Sequence, residues 1–450
     1  MHEGRFMGTM RSRGGRGYSP RIAIFLSAVG ALFSGSQNLS GQSIDRPARC
    51  EAIEGAVGVA LMDSAGTKII ASATPAWTDS ESIRIDSKPA IAIGVTHGDP
   101  AYEFGEVTAA VLMSDGRIVV ADAQGAELKV YDSSGRHLRT VGRSGSGPGE
   151  YRRISALYRT HGDTLFVVDP QNQRITRLSP ALETLSTTVL QSIPWVRPPS
   201  SYASQPLRGY VALQVKGMLD DGSLLATNAR GGAQTPEVTN ASRDTLVLRH
   251  VDPRLGTSDS LGQVVGKQWF QFFPGDGSFT FGHPPWGYVE SLAVARNRYY
   301  YGTAETFEIE EHSPDGSLVR LIRVCEKPSV IDKRRLDDLI ERYLRELPPE
   351  ALRSQETALR GIPHPPTAPA YLRLLVDRAE RLWVQRYTAP GMNELWRLLD
   401  REGRWLGTVQ LPDGISPLDV AGDQLLARHT DELDVQTIRV FRISIPVRDK

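Results

Sequence analysis

Short runs of alternating apolar and polar residues, bounded by turn residues, recur along most of the chain. Residues 118–120 align with 165–167 and Asp122 aligns with Asp169, and both pairs share an offset of 47 residues. Turn signals such as Asp115-Gly116 separate four such runs in each unit. Alternation with a period of two over runs of this length predicts β-strands. Four strands repeating every 40–50 residues are typical of β-propeller blades.

The repeat continues with decreasing clarity to the C-terminus. The first two units begin at Val107 and Ile154, and the others span residues 210–251, 288–324, 370–411 and 415–446. The last unit has only three strands, whereas residues 83–95 resemble an outermost strand without a blade. Pairing this segment beside the C-terminal strands would complete the sixth blade and remove exposed sheet edges. We therefore predict an all-β fold, a six-bladed β-propeller closed by an N-terminal strand, rather than an open solenoid.

Two stretches interrupt the pattern. Residues 327–369 carry an apolar stripe at helical spacing, followed by a proline cluster, and predict a helical insertion between blades four and five. The stripe consists of Leu336, Leu339, Ile340, Tyr343 and Leu344. Packing on the propeller is the simplest role for it. Residues 268–288 predict an aromatic loop between blades three and four, and the propeller itself is assigned to residues 81–450.

The first 36 residues have the features of a secretory signal peptide. Arginines, the last of them Arg21, precede an apolar run at 22–33 and the small residues 34–36. The run is shorter than the roughly 20 residues that span a bilayer, so we expect cleavage; an uncleaved anchor is the alternative. Residues 37–80 are weakly patterned and predict a partly ordered lead-in. We therefore expect an exported protein, periplasmic or extracellular, with no membrane span after signal removal.

The composition of the chain argues against some classes of binding partner but does not identify one. The 52 Lys and Arg residues balance the 52 Asp and Glu residues, so we expect no nucleic-acid partner. Cys50 and Cys325 are the only two cysteines, and an exported chain could oxidise them to one disulfide. Sequence alone does not show whether their Cα atoms come within bridging distance, so it does not decide whether this disulfide forms.

The blades resemble the NHL-type six-bladed propellers of exported bacterial proteins. The resemblance rests on residues 120–122 and 168–169, the run 172–175, and 141–143 leading into 147–151, with a further likeness at 377–384. It covers about 350 residues and is strongest in the first two blades. It implies a platform that binds ligands or proteins and that in some members carries lyase or lactonase chemistry. Fold by itself does not assign a function.

Catalytic chemistry in a propeller requires side chains that converge on the central channel. The polar residues of the predicted inner strands are Thr108, Ser155, Gln214, Glu290, Arg373 and Ser416. Only Glu290 and Arg373 are charged, and none is a histidine, so we predict no metal site, no cofactor and no catalytic set. Asp122 and Asp169 occupy a repeated blade position and are predicted to hydrogen-bond the backbone or neighbouring blades.

The aromatic loop offers the best candidate site. Trp269, Trp286 and Tyr288 lie in it or at its end, close in sequence to Glu290. These rings could either stack on a ligand or fill the space beneath a long loop. If this region forms a site, we predict that Arg373 binds an anionic group opposite Glu290, which acts as an orienting carboxylate.

The function predicted from sequence is a non-enzymatic exported module that binds a protein or small-molecule ligand. The alternative is a lyase or hydrolase with its site at the mouth of the central channel. A third possibility is a structural component of an envelope assembly.

Overall fold

The computed structural model describes residues 58–78, 82–190, 213–229, 242–272, 280–345, 347, 349–389 and 392–446. Strands of these residues form six separate sheets, so the expectation of an all-β architecture is confirmed. The predicted signal peptide, the first part of the lead-in and Cys50 lie outside the described residues. Four strands precede the first full blade: β1 (Val59–Ser64), β2 (Thr67–Ser72), β3 (Arg84–Ile85) and β4 (Ile91–Ile93).

Blades one and two are antiparallel sheets with the clearest internal repeat. Blade one contains β5 (Val107–Leu112), β6 (Ile118–Asp122), β7 (Glu127–Tyr131) and β8 (His137–Val141). Blade two contains β9 (Ala156–Arg159), β10 (Leu165–Asp169), β11 (Arg174–Leu178) and β12 (Thr184–Val189).

The repeated aspartates fix the backbone where each inner strand begins. Asp122 accepts hydrogen bonds from the backbone N–H groups of Gly105 and Glu106, both at 3.0 Å. Asp169 accepts the equivalent bonds from Arg152 at 2.9 Å and Arg153 at 3.3 Å. Both carboxylates are buried, and a buried carboxylate needs such donors. The sequence repeat therefore reflects a structural requirement.

Blade three carries the two longest strands, and blade four follows it. Blade three contains β13 (Gln214–Met218), β14 (Leu224–Ala229), β15 (Ser242–Asp252), β16 (Thr257–Phe272) and β17 (Thr280–Gly282). Blade four contains β18 (Ser291–Ala295), β19 (Arg298–Gly302), β20 (Glu308–His312) and β21 (Leu318–Val324). The aromatic segment at 268–288 is thus not a loop throughout. Its first residues continue β16, because Trp269 pairs with Ser242 and Phe272 pairs with Thr280.

Two helices follow blade four, α1 (Lys333–Arg345) and α2 (Pro349–Gly361), where the sequence predicts one. Leu339 and Ile340 of α1 are buried together with Leu359 of α2 against Phe270 and Trp286 of the propeller. The apolar stripe therefore packs on the propeller. Neither helix, among the residues that are described, has the length and apolar character needed to cross a membrane.

Blades five and six complete the set. Blade five contains β22 (Tyr371–Val376), β23 (Leu382–Arg386), β24 (Leu395–Leu399) and β25 (Trp405–Gln410). Blade six contains β26 (Ile415–Ala421), β27 (Gln424–Thr430) and β28 (Gln436–Ser444). Both β3 and β4 pair antiparallel with β28, through Ile85 with Ile443 and Ile93 with Ile438.

The residues before β4 run along the outer strands of three blades, and we call residues 58–78 and 82–85 the strap. Its β2 pairs parallel with β21 of blade four, with Ile70 opposite Ile322. The N–H groups of Ala76 and Trp77 then bond to carbonyls of β25 in blade five, at 2.9 and 2.8 Å. Its β3 lies on blade six. The weak patterning of residues 37–80 gave no indication of this hairpin.

Cys325 follows the strand to which the strap is attached. Its N–H donates to the Ser72 carbonyl at 2.9 Å, and its sulfur is disulfide-bonded.

Candidate functional site

The N-terminal ends of the six inner strands β5, β9, β13, β18, β22 and β26 define what we call the channel mouth. Each inner strand pairs antiparallel with the second strand of its blade; Tyr371 lies opposite Arg386 and Ile415 opposite His429. The loop from the second to the third strand of each blade therefore lies at the same end as the channel mouth. Side chains from inner strands and from these loops meet there.

Polar contacts join each blade to the next at or near the inner strands. Six contacts complete the circuit: Thr108 Oγ1 to the Ile154 carbonyl (2.9 Å), Tyr158 Oη to the Val215 carbonyl (3.3 Å), Lys216 Nζ to Glu290 Oε1 (3.1 Å), Leu374 N to Ser291 Oγ (2.9 Å), Arg373 Nη2 to the Pro417 carbonyl (3.0 Å) and Arg428 Nη1 to the Val107 carbonyl (2.7 Å). Buried polar groups require such partners. Much of the polarity of the inner strands therefore holds neighbouring blades together.

Glu290 lies at the channel mouth in an ion pair with Lys216 of blade three. The side chains are 12% and 22% exposed, so the pair is largely withdrawn from water. In β13, the inner strand of blade three, the sequence analysis selected Gln214 and missed Lys216. The pairing register of β13 shifts between Val215 and Gly217, and a bulge of this kind redirects the following side chains. The glycine inside a strand was the available signal.

Arg373 lies close to a carboxyl group that the sequence analysis did not select. Its guanidinium lies 5.9 Å from the ring centre of buried Trp396, whose Nε1 donates to Glu394 Oε2 at 3.0 Å. Burial raises the pKa of Glu394, while the bond from Trp396 and the charge of Arg373 act in the opposite direction. Glu394 lies in the loop before β24, outside the inner strands, and strand periodicity gives no signal for it.

Glu290 and Arg373 lie on adjacent strands. Ser291, which follows Glu290, accepts a hydrogen bond from the N–H of Leu374, which follows Arg373. The structure thus brings the two predicted residues to neighbouring positions at the channel mouth. The ion-pair partner of Glu290 is Lys216.

The three predicted aromatic residues have different surroundings. Trp286 is fully buried, and its Nε1 donates to His364 Nδ1 at 2.9 Å. The Tyr288 and Thr367 hydroxyls are 2.8 Å apart, so both rings contact the helical insertion or the chain that follows it. Trp269 is half-buried, with the ammonium of Lys267 4.6 Å from its ring centre. Trp286 therefore supports the insertion.

Histidines in the neighbourhood are held by ordinary hydrogen bonds. His283 Nδ1 lies 2.7 Å from the Gln268 carbonyl, and burial lowers the pKa of both His283 and His364. Within the described part of the chain, no three or more His, Cys, Asp and Glu side chains are grouped so that they could hold a metal ion.

A family described as a 6-bladed beta-propeller, DUF5128, matches residues 102–202, which include blades one and two. The chain is a six-bladed β-propeller. No curated protein matches this chain at a significant level.

Several solved structures are similar to this propeller, with low identity. A protein of Bacteroides fragilis named as an exported protein is 12% identical, with a TM-score of 0.43 over 83% of this chain and 98% of that one. A DUF4221 family member from Bacteroides vulgatus is 10% identical, with a TM-score of 0.46 over 81% and 99%. Virginiamycin B lyase from Staphylococcus aureus is 9% identical, with a TM-score of 0.35 over 82% and 90%.

Proposed function

We propose that this propeller is an exported, non-enzymatic module of the NHL type that binds a small polar ligand at the channel mouth. Export is supported by the Arg-rich, apolar and small-residue succession in residues 1–36. The NHL assignment is supported by the motifs of the first two blades. We further propose that β4 beside β28 closes the ring, in agreement with the circuit of contacts between blades.

The observation that carries the binding role is the grouping of Arg373, Trp396 and Glu394. An arginine guanidinium recognises carboxylate and phosphate groups through parallel hydrogen bonds. Because burial raises the pKa of Glu394, this carboxyl can take up a proton and donate a hydrogen bond as well as accept one. A ligand with one anionic group and neighbouring hydroxyls would match both side chains, and Glu290 lies on the adjacent strand.

The three predicted aromatic residues would contribute to the site in different ways. Tyr288 precedes Glu290 along the chain, and its ring lies 5.5 Å from the guanidinium carbon of Arg243. Trp286 would act by holding the helices in place, and Trp269 would act from the edge of blade three. A protein partner on this face remains the alternative ligand.

A second candidate function is an enzyme, a lyase or hydrolase acting at the channel mouth. It is favoured by Glu394, because a carboxyl with a raised pKa suits general acid catalysis. Under this alternative Arg373 would stabilise developing negative charge in the transition state.

The binding role is tested by thermal-shift titration of the mature chain with gluconate, glucuronate and lactate. We expect at least one hydroxy acid to raise Tm, because a ligand that binds only the folded state stabilises it. Arg373→Gln should weaken that binding about tenfold or more, a typical loss for a charged hydrogen-bonding partner. Arg401→Gln, at an exposed turn of the same blade, is the matched control and should bind as the wild type does.

Two results would overturn the binding proposal: no stabilisation by any of the three acids, or equal binding by the Arg373→Gln variant. Turnover of a lactone or a p-nitrophenyl ester that Glu394→Gln abolishes would establish the enzyme instead. Metal analysis further distinguishes a binding module from an enzyme. We expect a metal-free chain whose Tm is unchanged by chelator and by calcium, and an ion released by chelator with a fall in Tm would favour the enzyme.

A further inference from the structure

A cavity of about 660 Å³ lies between α1 and the loops that join the second and third strands of blades four and five, at the same end of these blades as the channel mouth. Sites for small organic ligands in proteins commonly enclose about 300–1,000 Å³. The helix contributes Arg335, Asp338 and Arg342 to one wall. Asn393 and Leu395 contribute to another and flank Glu394 in sequence. Glu394 itself is not part of the cavity lining.

Much of the propeller side of the cavity is apolar. Its lining there includes Phe307, Pro328, Pro369, Ala370, Ala389 and Leu395. Met392 also contributes and is 59% exposed. A flexible, polarisable methionine adapts to apolar ligands of different shapes. This surface fits the hydrocarbon or aromatic body of a ligand.

The charged groups of the cavity are unequal in number. Four are positive, Lys327, Arg335, Arg342 and Arg386, and two are negative, Glu326 and Asp338. Both carboxylates already have partners: Glu326 contacts Arg386 and Arg397, and Asp338 pairs with Arg342 at 3.0 Å. The cavity therefore has a net positive charge, and both of its carboxylates are already engaged in ion pairs.

Arg335 and Tyr387 are two polar groups of the cavity lining for which the described residues supply no partner. Among the described residues, the Arg335 guanidinium makes neither an ion pair nor a hydrogen bond, although the side chain is half-buried. The Tyr387 hydroxyl likewise has no hydrogen-bond partner within the described ranges. Both residues line the cavity. Burial raises the pKa of Tyr387 to about 12, and the charge of Arg335 acts in the opposite direction. Tyr387 is therefore a neutral hydrogen-bond donor beside an uncompensated cation.

We propose that this cavity is a second binding site, which takes an organic monoanion with an apolar body. Arg335 pairs with the anionic group, the Tyr387 hydroxyl donates to the same group, and Phe307, Pro369 and Leu395 contact the body. A half-buried guanidinium is stabilised by a counter-charge, and neither carboxylate of the cavity supplies one. The cavity lining does not include Arg373, Glu394 or Trp396, which carry the function proposed above, so the two sites can be tested separately.

The test is calorimetric titration of the full mature chain with three probes. Sodium decanoate supplies a carboxylate and an apolar body, 1-decanol supplies the same body without charge, and acetate supplies the charge without the body. We expect decanoate to bind at least tenfold more tightly than either of the others. An aromatic sulfonate, 8-anilinonaphthalene-1-sulfonate, should compete with decanoate for the same site.

Three variants assign the binding to this cavity. Arg335→Gln should weaken decanoate binding about tenfold, and Tyr387→Phe about fivefold, in line with the loss of a charged and a neutral hydrogen bond. Arg334→Gln, on the exposed side of the same helix, is the matched control and should bind within twofold of the wild type. Thermal melts of all three establish that the variants are folded.

The proposal is overturned if neither decanoate nor the sulfonate binds, or if 1-decanol binds as tightly as decanoate. It is also overturned if Arg335→Gln and Arg334→Gln bind equally, since binding would then lie elsewhere. Loss of hydroxy-acid binding on Arg373→Gln together with intact decanoate binding would keep the two sites distinct.

Discussion

The channel mouth and the cavity beside α1 both contain charged side chains, but these side chains have different kinds of partner. At the mouth, Lys216 binds Glu290 of the next blade and Arg428 binds the carbonyl of Val107 across another blade boundary. In the cavity, Arg335 faces a partly apolar space without a counter-ion among the described residues. A charge shared between blades stabilises the ring, whereas a charge facing a cavity can bind a ligand. Changes at Lys216 and Arg428 should therefore alter stability first, and changes at Arg335 should alter binding first.

The largest effect is expected from Trp286→Ala, which removes a fully buried ring that packs with both helices of the insertion. Deleting a fully buried tryptophan typically lowers the free energy of unfolding by about 3–5 kcal/mol. Urea unfolding should report that loss, and decanoate binding should fall with it. Trp286→Phe keeps an aromatic ring and should lose clearly less stability. A loss below about 1 kcal/mol for the alanine variant would show that the helices are held in another way.

An intermediate effect is expected at the ion pair of the channel mouth. Lys216→Met leaves the largely buried Glu290 carboxylate without its partner, which should lower the free energy of unfolding by about 1–3 kcal/mol. The double variant Lys216→Met/Glu290→Met should recover part of that loss, because no unpaired charge remains. Lys88→Met, at an exposed position, is the control. A double variant less stable than the single one would contradict a paired role for these residues.

The smallest effect is a pH dependence at Glu394. The folded-state pKa is raised above 4.5, so the folded protein binds this proton more tightly than the unfolded chain does. Stability is then lost as pH rises from about 4.5 through the raised pKa. Glu394→Gln lacks this titration and can still accept the Trp396 bond. Its Tm relative to the wild type should therefore increase between pH 4 and pH 8, and a constant difference would contradict the raised pKa.

Sequence predicted those parts of the fold that repeat. Strand alternation and the equivalence of Asp122 and Asp169 were visible because every blade has to meet the same local requirements for pairing and turns. Blade three was less clear, since the register shift beside Gly217 moved Lys216 out of the expected alternation. The second helix was missed because its apolar positions are few and a proline cluster follows it.

The candidate sites depend on contacts that no local pattern encodes. Arg335 and Tyr387 are 52 residues apart, and only the folding of α1 onto blade five brings them to one cavity. Glu394 lies in a loop, where periodicity carries no information. Strand alternation led to Glu290 and Arg373 because they lie immediately before β18 and within β22, both inner strands.

The strap has a consequence for the order in which the protein can be assembled. Its residues are made before those of any blade, yet its partners belong to the last three: Ile70 pairs with Ile322, Trp77 with Leu406, and Arg84 with Ser444. A chain that emerges from its N-terminus offers these partners only when synthesis is nearly complete. The strap must therefore wait in an unpaired state while the early blades form. Its attachment would be among the final steps of maturation, and contacts so distant in sequence form slowly.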